Sequence, residues 1–377
     1  MKLEVVIILG GSPLQRDLIE AANKSYYVII LDGNANCALK EIADEFEHLD
    51  FSNLDKVLKF AKTKNPKHIL TTANEKGNII AAIVSKKLGL YYNSIETVMA
   101  SINKIEMKDR LSSANIGTAR YFPLRISDDL KKIPNDFHFP LIVKPAQSSA
   151  GRGVKLVYNF NELSSHALKA QKVSENGFSL VEEFVEGDQY SVETVSVNGI
   201  HSIIGITKEF FSSAPYFMET QHLFPADLSS SVESKIHDIV FKVLDVFLVE
   251  VGSCHIELRL SKNGDIFIIE IATRLGGWRS ELANRALGLN IAEIMLDAYG
   301  KKEINTTPNR SKFSLVKMLY AKADKTKEEK LREETKYHLD PVVHLSSGFK
   351  KEKTSVMDSA GYYYLTAETL EDIYEAL

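Results

Sequence analysis

The stretch that decides the fold of this chain runs Cys254-His-Ile-Glu-Leu-Arg-Leu-Ser-Lys-Asn-Gly-Asp-Ile-Phe-Ile-Ile-Glu-Ile-Ala-Thr-Arg274. Two runs rich in Ile, Leu and Phe flank Asn263-Gly264. An Asn-Gly pair between such runs is the strongest short sequence signal for a β-hairpin. The stretch therefore predicts two antiparallel strands joined by a two-residue turn.

This register places Glu257 directly opposite Glu270. Two opposed carboxylates repel, with Cβ atoms roughly 4.5–5.5 Å apart, and a bound cation removes that repulsion. Magnesium takes oxygen ligands from carboxylates and substrate phosphates, so the pair predicts a metal–phosphate platform. The alternative is a solvated face with two coincidental acids, relieved by Arg259. The apolar neighbours are expected on the other face, in the core: Ile256, Leu258, Leu260, Phe267, Ile269 and Ile271.

The composition is that of an ordinary globular enzyme. The chain has 377 residues and a net charge of −4, with no long basic run, so nucleic acid is not an indicated partner. No apolar stretch approaches a membrane span, and the N-terminus reads as a first strand, so we expect a cytoplasmic protein without a membrane partner. The only cysteines, Cys37 and Cys254, fit a reducing compartment and buried packing positions.

The first 92 residues alternate strands and helices, which predicts a parallel sheet covered on both faces. Ligands on such sheets bind beyond the carboxyl ends of the strands, where Gly10-Gly11-Ser12, Asp32 and Thr72–Glu75 fall. Gly10-Gly11 followed by Asp32 also fits a dinucleotide-binding dehydrogenase, although the third glycine of that fingerprint is missing.

Beyond a helical region at 94–114, with Ser101 and Asn103 as candidate caps, short strands take over. A second Asn-Gly pair, Asn198-Gly199, predicts a second hairpin. The loop between Lys144 and Gly153 is rich in small residues, so its backbone N–H groups can approach a phosphate. An ordinary hairpin loop with a surface lysine is the other interpretation.

Two further segments carry functional side chains. Residues 182–189, Glu-Glu-Phe-Val-Glu-Gly-Asp-Gln, end one strand and begin the next, and an extended backbone there can pair with the edge of a base. By itself this segment also reads as an acidic turn. Arg274, followed by Gly276-Gly277, suits a bidentate grip on a carboxylate or phosphate near the paired acids.

In chain order these motifs are Asn103-Lys104, Lys144 with its glycine-rich loop, Glu182-Glu183-x-Val185, Glu257, and Glu270-x-x-x-Arg274 with Gly-Gly after it. Together they resemble the ATP-grasp superfamily of carboxylate–amine or carboxylate–thiol ligases, over about residues 3–300. The resemblance implies a Rossmann-like α/β domain at 1–93 and an ATP-grasp domain at 94–310, formed by a lid at about 115–186 and a catalytic antiparallel sheet. A C-terminal subdomain would follow at 311–377.

The resemblance also implies roles for particular residues. Lys104 and Lys144 would contact the ATP phosphates, and Ser149, Ala150 and Gly151 would cover them as a mobile flap. Adenine and ribose would meet Glu182, Glu183, Val185 and Gln189. Magnesium, with manganese as a substitute, would bind Glu257 and Glu270. Arg274 and Lys144 would be catalytic, and the substrates would contact Arg274, Gly276, Gly277 and His222.

Two positions depart from the family pattern. Gln189 stands where the family often has a ribose-binding Glu, and Ala272 stands where it usually has an Asn that serves as a third metal ligand. Ala272 cannot coordinate a metal, so the number of magnesium ions stays open. His222 lies in a segment that faces the active site in similar proteins, although a lone histidine is more often structural.

The resemblance implies that ATP phosphorylates a small carboxylate and that an amine then attacks the acyl phosphate, releasing ADP and phosphate. Such catalysis is mostly positioning and charge neutralisation. The alternatives are a carboxylating enzyme of the purine-synthesis or biotin-carboxylase type, the dehydrogenase, and a nucleotide-binding protein without activity. The sequence does not identify the substrates, and it leaves a homodimer open.

Overall fold

A computed structural model describes residues 4–125 and 130–377 of the chain, except for the side chain of residue 131. Its α-helices are α1 (Arg16–Asn23), α2 (Leu54–Lys64), α3 (Glu75–Leu88), α4 (Ile95–Ile102), α5 (Lys104–Ser113), α6 (Phe160–Val173), α7 (Ser230–Val246), α8 (Arg279–Leu287), α9 (Ile291–Tyr299), α10 (Lys322–Leu331) and α11 (Leu370–Ala376). Its strands are β1 (Val5–Leu9), β2 (Tyr27–Asp32), β3 (Glu45–His48), β4 (His68–Leu70), β5 (Tyr121–Leu124), β6 (Leu141–Pro145), β7 (Lys155–Val157), β8 (Ser179–Glu183), β9 (Asp188–Val197), β10 (Ile200–Phe211), β11 (Glu219–Phe224), β12 (Gly252–Leu260), β13 (Ile266–Ala272), β14 (Phe313–Leu319), β15 (His338–Leu339), β16 (Val343–His344) and β17 (Gly361–Ala367).

The N-terminal region is the parallel sheet that the alternating pattern predicts, in the order β3-β2-β1-β4. Strands β1 and β2 are mostly apolar and buried because helices cover both sides of the sheet. Asp32 is the last residue of β2, and its carboxylate accepts hydrogen bonds from the backbone N–H groups of Gly11 at 2.7 Å and Asn34 at 2.8 Å. An acid engaged in this way supports the loop after β1, which argues against the dehydrogenase.

The predicted helical region at 94–114 is two helices. Ser94 caps α4 and Asn103 caps α5, each through its side-chain oxygen. The Ser101 hydroxyl instead bonds the carbonyl of Val98 within α4, so Ser101 is not a cap. The break at Asn103 matters for the site, because it places Lys104 at the first position of α5.

A four-stranded antiparallel sheet, β5-β8-β6-β7, forms the region predicted as the lid. Helix α6 packs against β6 and β8, and together they enclose a small core of their own. The glycine-rich loop connects β6 to β7, so a strand follows it, as the sequence indicates. The loop thus projects from a separately packed layer.

The largest sheet is antiparallel and contains nine strands of the described chain, in the order β13-β12-β9-β10-β11-β14-β17-β15, with β16 also paired to β17. The segment 311–377 contributes four of these strands, so it extends this sheet. The predicted domain boundaries stay predictions. Helix α7 and the apolar faces of β9, β12 and β13 share one core.

The hairpin of β12 and β13 pairs Glu257 with Glu270 as predicted, but the predicted turn is wrong. Leu260 pairs with Ile266, so the loop has five residues, and the register shifts between Glu257 and Leu258. A β-bulge of this kind adds one residue to one strand. The five-residue loop alone would shift the pairing by one residue. The bulge shifts it back, so Glu257 and Glu270 still lie opposite each other.

The bulge also changes which side chains face the core. Ile266 and Ile268 are buried, whereas Phe267 and Ile269 are partly exposed, contrary to the expected alternation. The other pair, Asn198-Gly199, forms the predicted two-residue turn: both residues have positive φ, 52° and 73°, and Val197 pairs with Ile200.

Both cysteines are buried and free, as expected. Within residues 4–125 and 130–377, no helix combines the length and the apolar character that crossing a bilayer requires.

Candidate active site

A cavity of about 500 Å³ lies where the lid sheet, the large sheet and the carboxyl ends of the N-terminal strands meet. Pockets of this size hold nucleotides and small substrates. The structure brings most of the predicted site residues to its wall: Lys104, Lys144, Ser149, Ala150, Gly151, Glu182, Glu183, Val185, Gln189, Glu257, Glu270, Arg274 and Gly277.

The paired acids lie on this wall, each with a quarter or less of its side chain exposed. Glu270 lies 3.0 Å from the ammonium of Lys104. Glu257 accepts a hydrogen bond from the side chain of Gln189 at 3.1 Å and lies 3.3 Å from His255 Nε2. Each acid therefore has a partner of its own, and the two do not share one cation.

His255 is a charge partner of Glu257. Burial opposes its protonation, but Glu193, in contact with Nδ1, and Glu257, facing Nε2, raise the pKa of His255 to about 10. Burial likewise opposes the charge of Glu257, yet its hydrogen bond to His255 lowers the pKa of that carboxyl to about 2. Glu209, His255 and Glu257 form a group whose ligand atoms lie within 4.8 Å of one another. With both ring nitrogens facing carboxylates, His255 is unsuited to be a metal ligand there.

The chemistry of Glu257 and Glu270 fits magnesium, because both are carboxylates on the cavity wall with hard oxygen donors. Each also retains exposure to the cavity. Ala272 is buried and offers no donor, as the sequence indicates. The chain therefore supplies two oxygen side chains in this hairpin where the family pattern has three.

Lys144 is held by Glu182 at 2.9 Å, and the same carboxylate lies 3.2 Å from Lys108. All three side chains are almost completely buried. Burial lowers the pKa of Lys108 to about 8, although Glu182 opposes that shift. Lys108 also donates to the hydroxyl of Thr118 at 2.9 Å. The predicted base-binding residue Glu182 thus also fixes the position of a predicted phosphate-binding lysine.

The glycine-rich loop turns back at its tip. Ala150, Gly151 and Gly153 all have positive φ, between 57° and 77°. At Gly153 a Cβ atom would lie 2.9 Å from the ring of Pro145, so only glycine fits there. Arg152 bonds the carbonyl and hydroxyl of Ser149 at 3.1 and 3.2 Å, which closes the turn. Ser149, Ala150 and Gly151 line the cavity that Lys104 and Lys144 also line.

The end of the cavity next to Glu183 and Val185 is apolar and contains residues that the sequence did not single out. Phe184 and Phe217 stack with ring centroids 5.6 Å apart, and the guanidinium of Arg259 lies over both rings. Arg259 also donates to the carbonyl of Val185 at 2.8 Å. Ile142 and the bulge residue Ile269 line the same cavity. Aromatic and aliphatic surface of this kind suits a planar base.

Arg274 reaches across to the N-terminal domain. Its guanidinium pairs with Glu75, the first residue of α3, and its Nε lies 3.0 Å from that carboxylate. Burial opposes the charge of Glu75, but the paired Arg274 lowers the pKa of this carboxyl to about 2. The pair ties the segment after β13 to the start of α3.

Two predicted substrate contacts do not reach the cavity. His222 is completely buried, with Nδ1 2.5 Å from Arg279, and it lies behind the cavity wall. Gly276 packs against His255, where a Cβ atom would come within 2.6 Å of the ring, and its N–H donates to Glu193. Both positions therefore support the site from behind, whereas Gly277 lines the cavity.

Arg279 is a site residue that the sequence analysis missed. Its guanidinium bonds Glu209 at 2.5 Å, Ser191 at 3.1 Å and the carbonyl of Gly277 at 3.1 Å. These partners come from β9, β10 and the Gly-Gly loop, so the cluster is not visible in any local motif. Its only sequence signal is its position directly after that loop.

Comparison with known proteins agrees with this geometry. Residues 137–281 match the ATP-grasp domain family. An L-arginine-specific L-amino acid ligase of Bacillus subtilis is 22% identical over 247 residues, which cover 64% of this chain and 60% of that ligase. A formate-dependent phosphoribosylglycinamide formyltransferase of Bacteroides thetaiotaomicron is 26% identical over 343 residues, which cover 81% of this chain and 83% of that enzyme.

The crystal structure of an L-amino acid ligase from Bacillus licheniformis has the same fold. It superposes with a TM-score of 0.82 at 17% identity, over 100% of this chain and 96% of the other. The chain is therefore similar to ATP-grasp proteins over residues 137–281, and the predicted fold class is confirmed. It spans 60% of the length of the Bacillus subtilis ligase.

Proposed function

We propose that this protein is an ATP-dependent carbon–nitrogen ligase that joins a small carboxylate to an amine through an acyl phosphate. The observation that carries the proposal is the placement of Glu257 opposite Glu270 on the wall of a cavity that Lys104, Lys144 and Arg274 also line. Paired acids with fixed cations around them suit phosphoryl transfer, in which catalysis is positioning plus charge stabilisation.

The two ends of the cavity would have different tasks. Adenine would lie between Ile142 and Ile269, with its edge on the backbone of Glu183 and Val185, and Gln189 would reach the ribose. This assignment agrees with the apolar lining and the extended strand end at that side. The triphosphate would extend toward Lys144 and Lys104, under the N–H groups of Ser149, Ala150 and Gly151.

Magnesium would be held by Glu257 and Glu270, and when bound it neutralises charge on the transferring phosphate. The remaining contacts to the phosphates would come from side chains of the protein. Lys104, which pairs with Glu270 at 3.0 Å, is placed to turn toward phosphate once a metal takes over that carboxylate. Arg274 would hold the oxygens of the acyl phosphate, and Glu75 would keep the arginine in place. His222 and Gly276 would support Arg279 and His255 without touching a substrate.

The identity of the carboxylate and of the amine is the next part of the proposal. The names of the two sequence relatives point to amino acids in one case and to formate in the other. A carboxylating enzyme of the same superfamily stays an alternative, with bicarbonate as its acid. A nucleotide-binding protein without activity also stays an alternative, because of Ala272.

The test is an ADP-release screen with purified protein, ATP and magnesium against pairs drawn from amino acids, dipeptides, sugar acids, formate and bicarbonate. We expect ADP release that needs both an acid and an amine, with one phosphate per amide. Calorimetry supplies the second measurement, with ATP binding expected and NADH binding not. Binding of NADH without ATP would overturn the proposal, and ATP binding with no turnover across the screen would favour the inactive nucleotide-binding protein.

A further inference from the structure

One carboxylate in the cavity is left without a cation. Glu219, the first residue of β11, lines the cavity with about a quarter of its side chain exposed. Within the described parts of the chain, the only basic side chain within 4 Å of its carboxylate is His222, at 3.0 Å. Burial, followed by the neighbouring Arg279, holds the pKa of His222 well below its usual value, so this imidazole is neutral.

The fixed cations nearby are already engaged. Arg279 pairs with Glu209, and Arg274 pairs with Glu75. Lys104 pairs with Glu270. His255 lies between Glu193 and Glu257. The charged groups that act on Glu219 are Glu257, Arg279, His255 and Arg274. Burial and the adjacent Glu257 raise the pKa of Glu219 to about 7, which reflects a buried acid lacking a counterion.

We propose that Glu219 binds the ammonium group of the amine substrate, and this rests on the ligase reaction proposed above. An ammonium ion has three N–H donors, and a carboxylate facing the cavity accepts from them. Glu219 is not one of the two acids that face each other on β12 and β13. The Nε2 atom of His222 lies 3.0 Å from the carboxylate on the side where the chain continues along β11.

The same arrangement defines the class of substrate. The second substrate would be a primary amine that is cationic when it binds, as an α-amino group largely is at neutral pH. It would bind at the part of the cavity wall that Glu219 and Arg274 line. The first step, formation of the acyl phosphate, does not involve this amine.

The test separates the two steps by the charge of the amine. Glu219→Gln is assayed with the carboxylate from the screen and either the amino acid from the same screen or hydroxylamine, which is neutral at pH 7.5 and traps acyl phosphates. We expect the KM for the cationic amine to rise about 10- to 100-fold, as for a lost hydrogen bond to a charged group. Hydroxamate formation and the KM for ATP should stay close to wild type.

Controls keep the outcomes distinct. Glu333→Gln, a change of an exposed acid in the turn after α10, should leave every parameter unchanged, and Glu219→Asp should recover part of the affinity for the amine. Thermal melts exclude unfolding. An equal loss of hydroxamate formation, or an unchanged KM for the amine, would overturn the assignment of Glu219. Absence of carboxylate-dependent ADP release from wild-type protein would instead reject the ligase reaction itself.

Discussion

Two lysine–glutamate pairs face the same cavity, and they are built differently. Lys144 and Glu182 are almost fully buried, and the carboxylate also holds Lys108. Lys104 and Glu270 form a single pair, and a fifth of the Glu270 side chain remains exposed. Glu182 thus serves two cations and is fixed, whereas Glu270 has one partner and faces a cavity.

This difference indicates separate tasks for the two acids. A buried carboxylate with two lysines is a structural anchor, because removing it leaves buried charge uncompensated. A partly exposed carboxylate opposite Glu257 can exchange its lysine for a metal ion. The comparison therefore predicts that the two acids respond differently to the same substitution.

The largest effect is expected from Glu270→Gln. This change keeps the shape of the side chain but removes the charge that would hold magnesium, so we expect kcat to fall about 10³-fold or more. The loss of stability should be smaller than for Glu182→Gln, because one buried lysine and not two loses its carboxylate, and Lys104 keeps its bond to the carbonyl of Ser148 at 3.0 Å. The measurements are turnover at saturating magnesium and a denaturant melt. Wild-type turnover in this variant would refute the metal platform.

Glu182→Gln should act mainly on stability. It leaves Lys144 and Lys108 buried without a carboxylate, which typically costs about 3–5 kcal/mol. A urea melt measures the loss, with Glu45→Gln as the control. Glu45 is the partner of Lys64 in a pair nearly a third exposed, so its loss should cost under about 1 kcal/mol. Equal losses in the two variants would remove the distinction between an anchor and a surface pair.

Arg274→Lys should have a smaller effect, confined to the chemical step. Lysine keeps the positive charge but loses the planar fork, so we expect kcat to fall about 10²-fold, by analogy with the loss of one oxyanion donor. The Kd for ATP should change little, because Lys104, Lys144 and the base-binding strand are untouched. Parallel measurements of kcat and nucleotide Kd decide this. A large loss of affinity with kcat preserved would move Arg274 to the nucleotide site.

The parts of the fold set by local patterns were predictable from the sequence. The alternation over the first 92 residues gives the expected parallel sheet, and the Asn198-Gly199 turn has the expected length. The opposition of Glu257 and Glu270 was also predicted, but through two errors that cancel, since the five-residue loop and the bulge each shift the register by one. A bulge depends on the partner strand, so the alternation along β13 could not reveal it.

Other features could not be predicted because they arise between distant segments. Arg279 meets Glu209 from β10, and Phe217 enters the cavity from the loop before β11. The strands β11, β14 and β17 were not predicted as neighbours, since their pairing is set by the large sheet. His222 was expected at the substrate because of its segment, yet alternation along β11 points it behind the wall while Glu219 faces the cavity. The β11 segment therefore does reach the cavity, but through Glu219 and not through His222.

The smallest effect concerns the loop that lies between the two pairs, residues 147–153. Ser148 is tied to Lys104 through its carbonyl, but the tip at Gly151 has no atom within 4 Å of an added Cβ. A segment with few packing contacts opens locally at a low cost in free energy. A phosphate bound to the backbone N–H groups of this loop would raise that cost. We expect ATP with magnesium to slow amide hydrogen exchange at 149–153 about 10-fold, a change of about 1.4 kcal/mol in opening. The Asn198-Gly199 turn, remote from the cavity wall, should exchange equally with and without nucleotide. Equal protection of residues 149–153 in the two states would show that this loop does not cover the phosphates, and Lys104 and Lys144 would then bind them without a lid.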